Sequence, residues 1–341
     1  MEGARAAAIA AFLADAGWKA QPAPLAADAS FRRYFRLIDG DRRAVLMDAP
    51  PPHEDVRPYI AVAGMLRGHG FSAPEIFAED CERGLLLIED FGDDTYTRLI
   101  ARGADENALY SLAIDTLVAL QRAVAAPPEL PPYDEAKLLA EVGLLADWYA
   151  PAVLGTPLAA DAREEYSALW REALPRAAAP APTLVLRDYH VDNLMLLHGR
   201  AGPRSCGLLD FQDALCGPAS YDLVSLLEDA RRDVTPALKE KMTERYLAAF
   251  PRIDRVPFRR SAAILAAQRN AKIIGIFTRL ARRDGKPRYL GHIPRVWRLL
   301  EADLREPALR GVAAWFERNL PPATRRVPTG AKRRERAMIQ S

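Results

Sequence analysis

The sequence predicts an α+β protein of two lobes, a small β-rich N-terminal lobe with one main helix and a large, mainly helical C-terminal lobe. Three observations predict it. Short apolar runs of strand-like character are confined to the first 90 residues. Beyond residue 95 the apolar positions recur at helical spacing. One strand–loop–hairpin pattern interrupts the helical half, over residues 184–213.

Taken in order, residues 6–14 (AAAIAAFLA) could pass for a signal-peptide core, but Glu2 and Arg5 cancel ahead of them and the run is mostly alanine. A short surface helix ending near Gly17 is the better reading. SFRRYFRLI and AVLMDAP flank the turn at Asp39-Gly40 as a hairpin, stopped by Pro50–Pro52. A helix is expected over 56–68 and strands over 75–79 and 84–89, closing the first lobe at residue 89. Helices are then expected over 104–124, 135–150, 160–174, 222–231, 236–250, 258–283 and 294–318. The second lobe runs over 90–322.

The 341 residues are 50% hydrophobic and 27% charged, as in an ordinary globular protein. The net charge of +2 is unevenly placed, because residues 323–341 hold six Lys/Arg against Glu335 alone. Residues 1–322 keep 41 basic against 44 acidic residues, which argues against a nucleic-acid partner. The basic tail reads as a solvated, disordered end. Cys81, Cys206 and Cys216 show no CxxC spacing, which suits a reducing cytoplasm, and no stretch approaches the length of a membrane span. No obligate protein partner is implied.

Residues 184–213 read LVLRDYHVDNLMLLHGRAGPRSCGLLDFQD. An apolar strand delivers Asp188, and Asn193 follows five residues later. Two short strands, LMLLH and CGLLD, then form a hairpin that returns Asp210 to the neighbourhood of Asn193. Phosphoryl transfer needs a carboxylate near the attacking hydroxyl and oxygen ligands that hold Mg²⁺ against phosphates. One carboxylate plus one amide oxygen supplies such ligands and leaves room for water and phosphate. Each residue alone has a bland reading as a cap, a turn or a strand-end acid; the three in this order do not. Asp90-Phe91-Gly92 spells a kinase metal motif, yet it precedes the loop and has no D-x₄-N segment upstream. It reads better as a hinge at about 88–92.

On these segments, RDYHVDN, LLDFQDA and LLLIEDFG, the chain resembles the aminoglycoside phosphotransferase-like kinases over about residues 25–320. The resemblance implies a bilobal, protein-kinase-like fold, ATP and Mg²⁺, with Asp188 as catalytic base and Asn193 and Asp210 as metal ligands. It gives Asp222 as a brace for the loop, although a helix cap is an equal reading of that residue. Only residues 212–221 separate Asp210-Phe211 from the next helix, which is short for a protein substrate. SFRRYFRL, VLMDAPP, LLDFQDALCGPASYDLVSLLEDAR and QRNAKIIGIFTRLARRDGKPRYL are similar to the anomeric amino-sugar kinases of bacterial cell-wall recycling. That resemblance implies phosphorylation of C1 of N-acetylmuramate and N-acetylglucosamine.

Two departures matter. Leu186 stands where kinases commonly carry His. Met47 stands where they carry the phosphate-pairing Lys, and the following helix has no acid partner for one. Ser30, Phe31, Arg32 and Arg33, with Glu89 and Phe91 at the hinge, are the candidate nucleotide contacts. Arg32 and Arg36 share a strand face and Arg33 points opposite; one of the three is expected at the phosphates. Candidate sugar contacts are His190, Asp192, Glu141, Trp148, Arg269 and Asn270. The lactyl carboxylate of N-acetylmuramate calls for Arg269 or Arg279. A kinase for another alcohol, such as an aminoglycoside or choline, and an inactive nucleotide-binding scaffold are the competing readings.

Overall fold

The computed structural model describes residues 2–25, 31–177 and 181–328. The chain divides into two compact units, Met1–Ala123 with Leu186–Ala214, and Val124–Val185 with Leu215–Ser341.

The first unit opens with helix α1 (Glu2–Asp15) and strands β1 (Ala23–Pro24), β2 (Arg33–Asp39) and β3 (Arg42–Asp48). Helix α2 (Arg57–Gly68) and strands β4 (Ile76–Asp80) and β5 (Leu85–Glu89) follow. The strands form one antiparallel sheet in the order β1-β2-β3-β5-β4. The hairpin expected around Asp39-Gly40 is β2–β3, with Arg33 opposite Asp48 and Gly40 at φ +62° in the turn. Helix α1 is more than a surface helix. Its Phe12 and Leu13 pack with Leu37, Ala44, Leu46, Leu85 and Leu87, alternate residues of three neighbouring strands that share one sheet face. Helix α2 buries Tyr59, Val62, Ala63 and Leu66, an i, i+3, i+4, i+7 stripe.

Two further helices complete this stretch, α3 (Tyr96–Ala101) and α4 (Glu106–Ala123). The periodicity does not foresee α3, which is too short to show a stripe. Its start is set by Thr95, whose side chain accepts the Arg98 N–H.

The chain then supplies α5 (Glu135–Leu144), a π-helical turn (Leu145–Tyr149), α6 (Ala150–Leu154), α7 (Ala160–Ala173) and β6 (Pro182–Val185). The helix expected over 135–150 is present as α5 and the π-helical turn, and α6 carries it on to Leu154. Pro151 lacks an N–H and its ring crowds the carbonyl four residues back, and the wider turn relieves that crowding. The first unit resumes with β7 (Leu194–Leu196) and β8 (Cys206–Leu208). Last come β9 (Leu215–Pro218) and helices α8 (Ser220–Leu227), α9 (Pro236–Ala249), α10 (Arg255–Arg282), α11 (Ile293–Asp303) and α12 (Arg310–Asn319). Strand β9 is an unforeseen element that pairs antiparallel with β6, Leu184 opposite Cys216. The single helix expected over 294–318 is two, because Pro307 interrupts the backbone ladder between α11 and α12.

Helix α10 is the centre of the second unit and is buried along most of its length. Of the basic tail, residues 323–328 are described. There Arg325 lies over the Trp297 ring at 5.4 Å and pairs with Glu301 at 2.7 Å. Residues 329–341 lie outside the described residues. Among the described residues no helix is long and apolar enough to cross a membrane, and Cys81, Cys206 and Cys216 are free thiols.

Candidate active site

The loop Leu186–Asn193 holds its shape through its own backbone. The Asp188 carbonyl accepts the His190 N–H at 3.1 Å and the Asn193 Nδ2 at 3.0 Å, and the Asn193 N–H reaches the His190 carbonyl at 2.8 Å. Arg187 at φ +72° makes the sharp entry. Two anchors fix the loop to neighbouring helices. The buried Tyr189 hydroxyl donates to the Ala113 carbonyl on α4 at 2.7 Å, and the Thr97 hydroxyl on α3 donates to Asp192. The framework is built from carbonyls and amides, and the Asp188 carboxylate within it is half-buried.

Beyond the loop, β7 and β8 pair with Leu194 opposite Leu208, and the Leu209 N–H donates to the Asn193 carbonyl at 3.0 Å. The hairpin thereby brings Asp210 beside Asn193, the juxtaposition expected from the sequence. Asp210 sits at φ +56°, a left-handed conformation that costs an ordinary residue about 1–2 kcal/mol. It accepts from Arg32 Nη2 at 3.1 Å and Gln212 Nε2 at 2.9 Å. Phe211 turns into the core and lies on Tyr59 of α2, ring centroids 4.8 Å apart. A carboxylate and an amide on residues that the hairpin backbone brings together suit a cation that completes its shell with water and phosphate oxygens. Among the described residues no cluster of three or more His, Cys, Asp or Glu could cage a metal by itself.

The three arginines separate by partner, Arg32 lying just ahead of β2 and Arg33 and Arg36 within it. Arg33 donates to Asp48, a fully buried carboxylate that also holds Arg5. Arg36 pairs with Asp90 at 2.7 Å and Asp93 at 2.9 Å and reaches the Gly92 carbonyl. Asp90 is thus taken up by Arg36. Arg32, its side chain 12% exposed, is the one directed at Asp210. Phe31 stacks on His53 and is 60% exposed, while Ser30 lies outside the described residues. At the end of β5, Glu89 binds Arg200, whose guanidinium covers the Phe91 ring at 5.3 Å. That ring occupies the space that a side chain at Gly207 of β8 would need. His190 is buried and its ring lies 3.4 Å from Asn193 Nδ2.

The remaining sugar candidates belong to the second unit. Glu141 is no solvated acid: it accepts from Tyr133 and from Gln268 at 3.3 Å and pairs with Lys272 at 3.1 Å, all largely buried. Asn270 bridges Glu228 at 2.8 Å and Asp303 at 2.9 Å, and Arg269 is buried against the Glu228 carbonyl at 3.5 Å. Trp148 is half-buried in the π-helical turn. Arg279 keeps a buried Nε with no hydrogen-bond partner among the described residues. Asp222 is buried at the third position of α8, where Ala219 holds the N-cap position, so Asp222 is not that cap.

Burial, and then the Glu228 carboxylate, push Asp303 well above the usual carboxyl range; Lys239 and Asn270 offset this only in part. The Asp303 carboxyl therefore keeps its proton to higher pH in the folded chain than in the unfolded one, where it is released near pH 4. The folded state binds more protons than the unfolded one between that pH and the raised folded value, so stability falls as pH rises through this window. Asp303→Asn should flatten the decline: between pH 5 and 8 its urea midpoint should drop less than that of the wild type.

Comparison with known proteins places these features. A profile of the phosphotransferase enzyme family matches residues 22–256. The N-acetylmuramate/N-acetylglucosamine kinase of Caulobacter vibrioides is 38% identical, covering 94% of this chain and 98% of its own. Its counterpart from Pseudomonas aeruginosa is 43% identical over 87% of this chain and 89% of its own. Among solved structures, a choline/ethanolamine kinase family protein from Mesorhizobium loti superposes with a TM-score of 0.59 at 17% identity, over 92% of this chain and 98% of its own. The GDP complex of an aminoglycoside 2'-phosphotransferase gives 0.56 at 17% identity, over 83% and 92%. The α+β fold expected from the sequence, with its N-terminal antiparallel sheet and large helical part, is the fold of these neighbours.

Proposed function

This chain belongs to the phosphotransferase enzyme family, and on that premise we propose that it is an ATP- and Mg²⁺-dependent kinase acting on the C1 hydroxyl of N-acetylmuramate and N-acetylglucosamine. The observation that carries the reading is the 38–43% identity, over most of the chain, to kinases named for those two sugars. The hairpin that returns the backbone before Asp210 to Asn193, at the end of the Asp188 loop, supports it.

In this reading Asp188 accepts the proton of the anomeric hydroxyl as its oxygen forms a bond to the γ-phosphorus and the bond to the ADP oxygen breaks. An anomeric hydroxyl is more acidic than a simple alcohol, so a carboxylate is a sufficient base. Asn193 Oδ1 and the Asp210 carboxylate would hold the cation, which neutralises phosphate charge when bound. Arg32 is the arginine best suited to the phosphates, because its partner Asp210 is itself a proposed ligand of the cation, whereas Arg33 pairs with the buried Asp48 and Arg36 with Asp90 and Asp93. The adenine would lie against the hinge at 88–92, and the cytoplasm, where ATP is abundant, is the fitting compartment.

Of the two arginines that could meet the lactyl carboxylate, Arg269 is enclosed with Glu228, Asn270 and Asp303. Arg279 is the better reading, because burial and the neighbouring Arg283 disfavour its charge and an incoming carboxylate would relieve both.

The test is transfer from ATP with Mg²⁺ to N-acetylmuramate, N-acetylglucosamine, kanamycin and choline in parallel. Acid-labile sugar 1-phosphates from the two amino sugars are expected, and Arg279→Leu should raise KM for N-acetylmuramate alone. Transfer only to kanamycin or choline would keep the chemistry and overturn the substrate.

A further inference from the structure

Met47 on β3 is 1% exposed and stands where the resemblance puts a phosphate-pairing lysine. Helix α2, RPYIAVAGMLRG, contains no carboxylate to hold one. What α2 does bring inward is a phenol. Tyr59 is 3% exposed, and its hydroxyl oxygen has no hydrogen-bond partner among the described residues. A buried hydroxyl left without a partner is costly, and native proteins rarely keep one without a reason.

Its surroundings suggest the reason. The Tyr59 ring lies on Phe211, and the residue before Phe211 is Asp210, which accepts from Arg32 at 3.1 Å. Tyr59 and Arg32 therefore flank two consecutive residues. Burial, first, keeps the phenol protonated, and Tyr34, Arg32, Asp210 and Glu89 all act on it electrostatically. Asp210 is also half of the candidate cation site. Its carboxylate is asked to serve both a cation and Arg32, and Arg32 must take new partners whenever the cation claim is met. A desolvated guanidinium has five N–H donors to satisfy. Phosphate oxygens can take some of them, and the rest need a fixed acceptor from the protein.

We propose that Tyr59 is a positioning residue for the nucleotide: its hydroxyl oxygen accepts from Arg32 when that arginine turns from Asp210 to the phosphates. Tyr59 and Arg32 then do together what a lysine–glutamate pair does elsewhere, and Met47 is the consequence rather than a defect. The inference rests on the reading of Arg32 as a phosphate contact.

Tyr59→Phe tests it, since the ring on Phe211 is kept and only the hydroxyl is lost. Three quantities are read: the melting temperature of the nucleotide-free protein, calorimetric affinity for ATP with Mg²⁺ in the absence of sugar, and the two KM values. The melting temperature should stay level or rise, because the empty protein loses an unsatisfied group. ATP affinity should weaken about tenfold, the effect of one hydrogen bond to a charged group. KM for ATP should rise in parallel, while kcat and KM for the sugar stay within about twofold. In an Arg32→Ala background the same substitution should change ATP affinity no further.

Unchanged ATP affinity in Tyr59→Phe would make the side chain an apolar filler and overturn the proposal. So would an equal loss in both backgrounds, which would show that the hydroxyl acts without Arg32. A wild type that binds ATP yet phosphorylates neither amino sugar would defeat the proposed substrate while leaving this inference to be judged on the binding data.

Discussion

Asp188→Asn should lower kcat for sugar phosphorylation by about 10²- to 10⁴-fold, the usual contribution of a positioned general base, while the protein folds and binds nucleotide as before. The selectivity follows from how the loop is built. Its shape depends on the Asp188 carbonyl, which accepts from His190 and Asn193, and on the Tyr189 and Thr97 anchors. None of these uses the proton-accepting capacity of the carboxylate. Asparagine has the same shape and can still accept a hydrogen bond, but at neutral pH it cannot take a proton. Single-turnover phosphorylation, ATP affinity and melting temperature measured on one preparation check this. A fall in melting temperature comparable with the loss of activity would make Asp188 a structural residue and return the catalytic role to another group.

How much of this is legible in the sequence depends on the range of the interaction. The β2–β3 hairpin follows from a local turn and alternating strands, and the β7–β8 hairpin from a turn-rich loop between two apolar runs. Once that second register is assumed, Asn193 and Asp210 fall together, so the core of the candidate site needs only local rules. The choice among Arg32, Arg33 and Arg36 is different. Alternation puts Arg33 on the other face, but what retires it is Asp48, whose second partner Arg5 lies 43 residues earlier. Nothing in SFRRYF announces that pairing. Arg36 is likewise claimed by Asp90 and Asp93 across more than 50 residues. Glu141 reads as a solvated acid on its helix, yet its neighbours Gln268 and Lys272 come from a helix more than 120 residues away. Tyr59 carries the same lesson. As a sequence letter it is one apolar position in a helical stripe, and only the identity of the group beside it, Phe211, makes its hydroxyl notable. The break between α11 and α12 escapes for a local reason instead: Pro307 is visible, but an apolar pattern that continues across it outweighs the missing N–H when periodicity alone is read.

Gly275→Ala, a single added methyl in the middle of the longest helix, should destabilise the protein by about 1–3 kcal/mol or more, the cost of overpacking a site that cannot give way. A Cβ at Gly275 would lie 2.3 Å from the Leu144 carbonyl carbon, 2.5 Å from its oxygen and 2.6 Å from the Leu145 nitrogen. All three are backbone atoms at the point where α5 passes into the π-helical turn, so no rotamer change relieves the overlap. The helices would have to separate. Gln268 and Lys272 reach Glu141 on α5 from the preceding two turns of α10, so separation would also stretch that buried network. Gly64 provides the contrast. It is an exposed helical glycine on α2, and a Cβ there would meet nothing within 4 Å, so Ala should stabilise by about 0.5–1 kcal/mol through helix propensity. Urea unfolding of the two variants should therefore move the midpoint in opposite directions at an unchanged slope. If Gly275→Ala moved with Gly64→Ala, the close passage of α10 against Leu144 and Leu145 would not be what fixes the second unit, and Glu141, Gln268 and Lys272 would need another explanation for their shared burial.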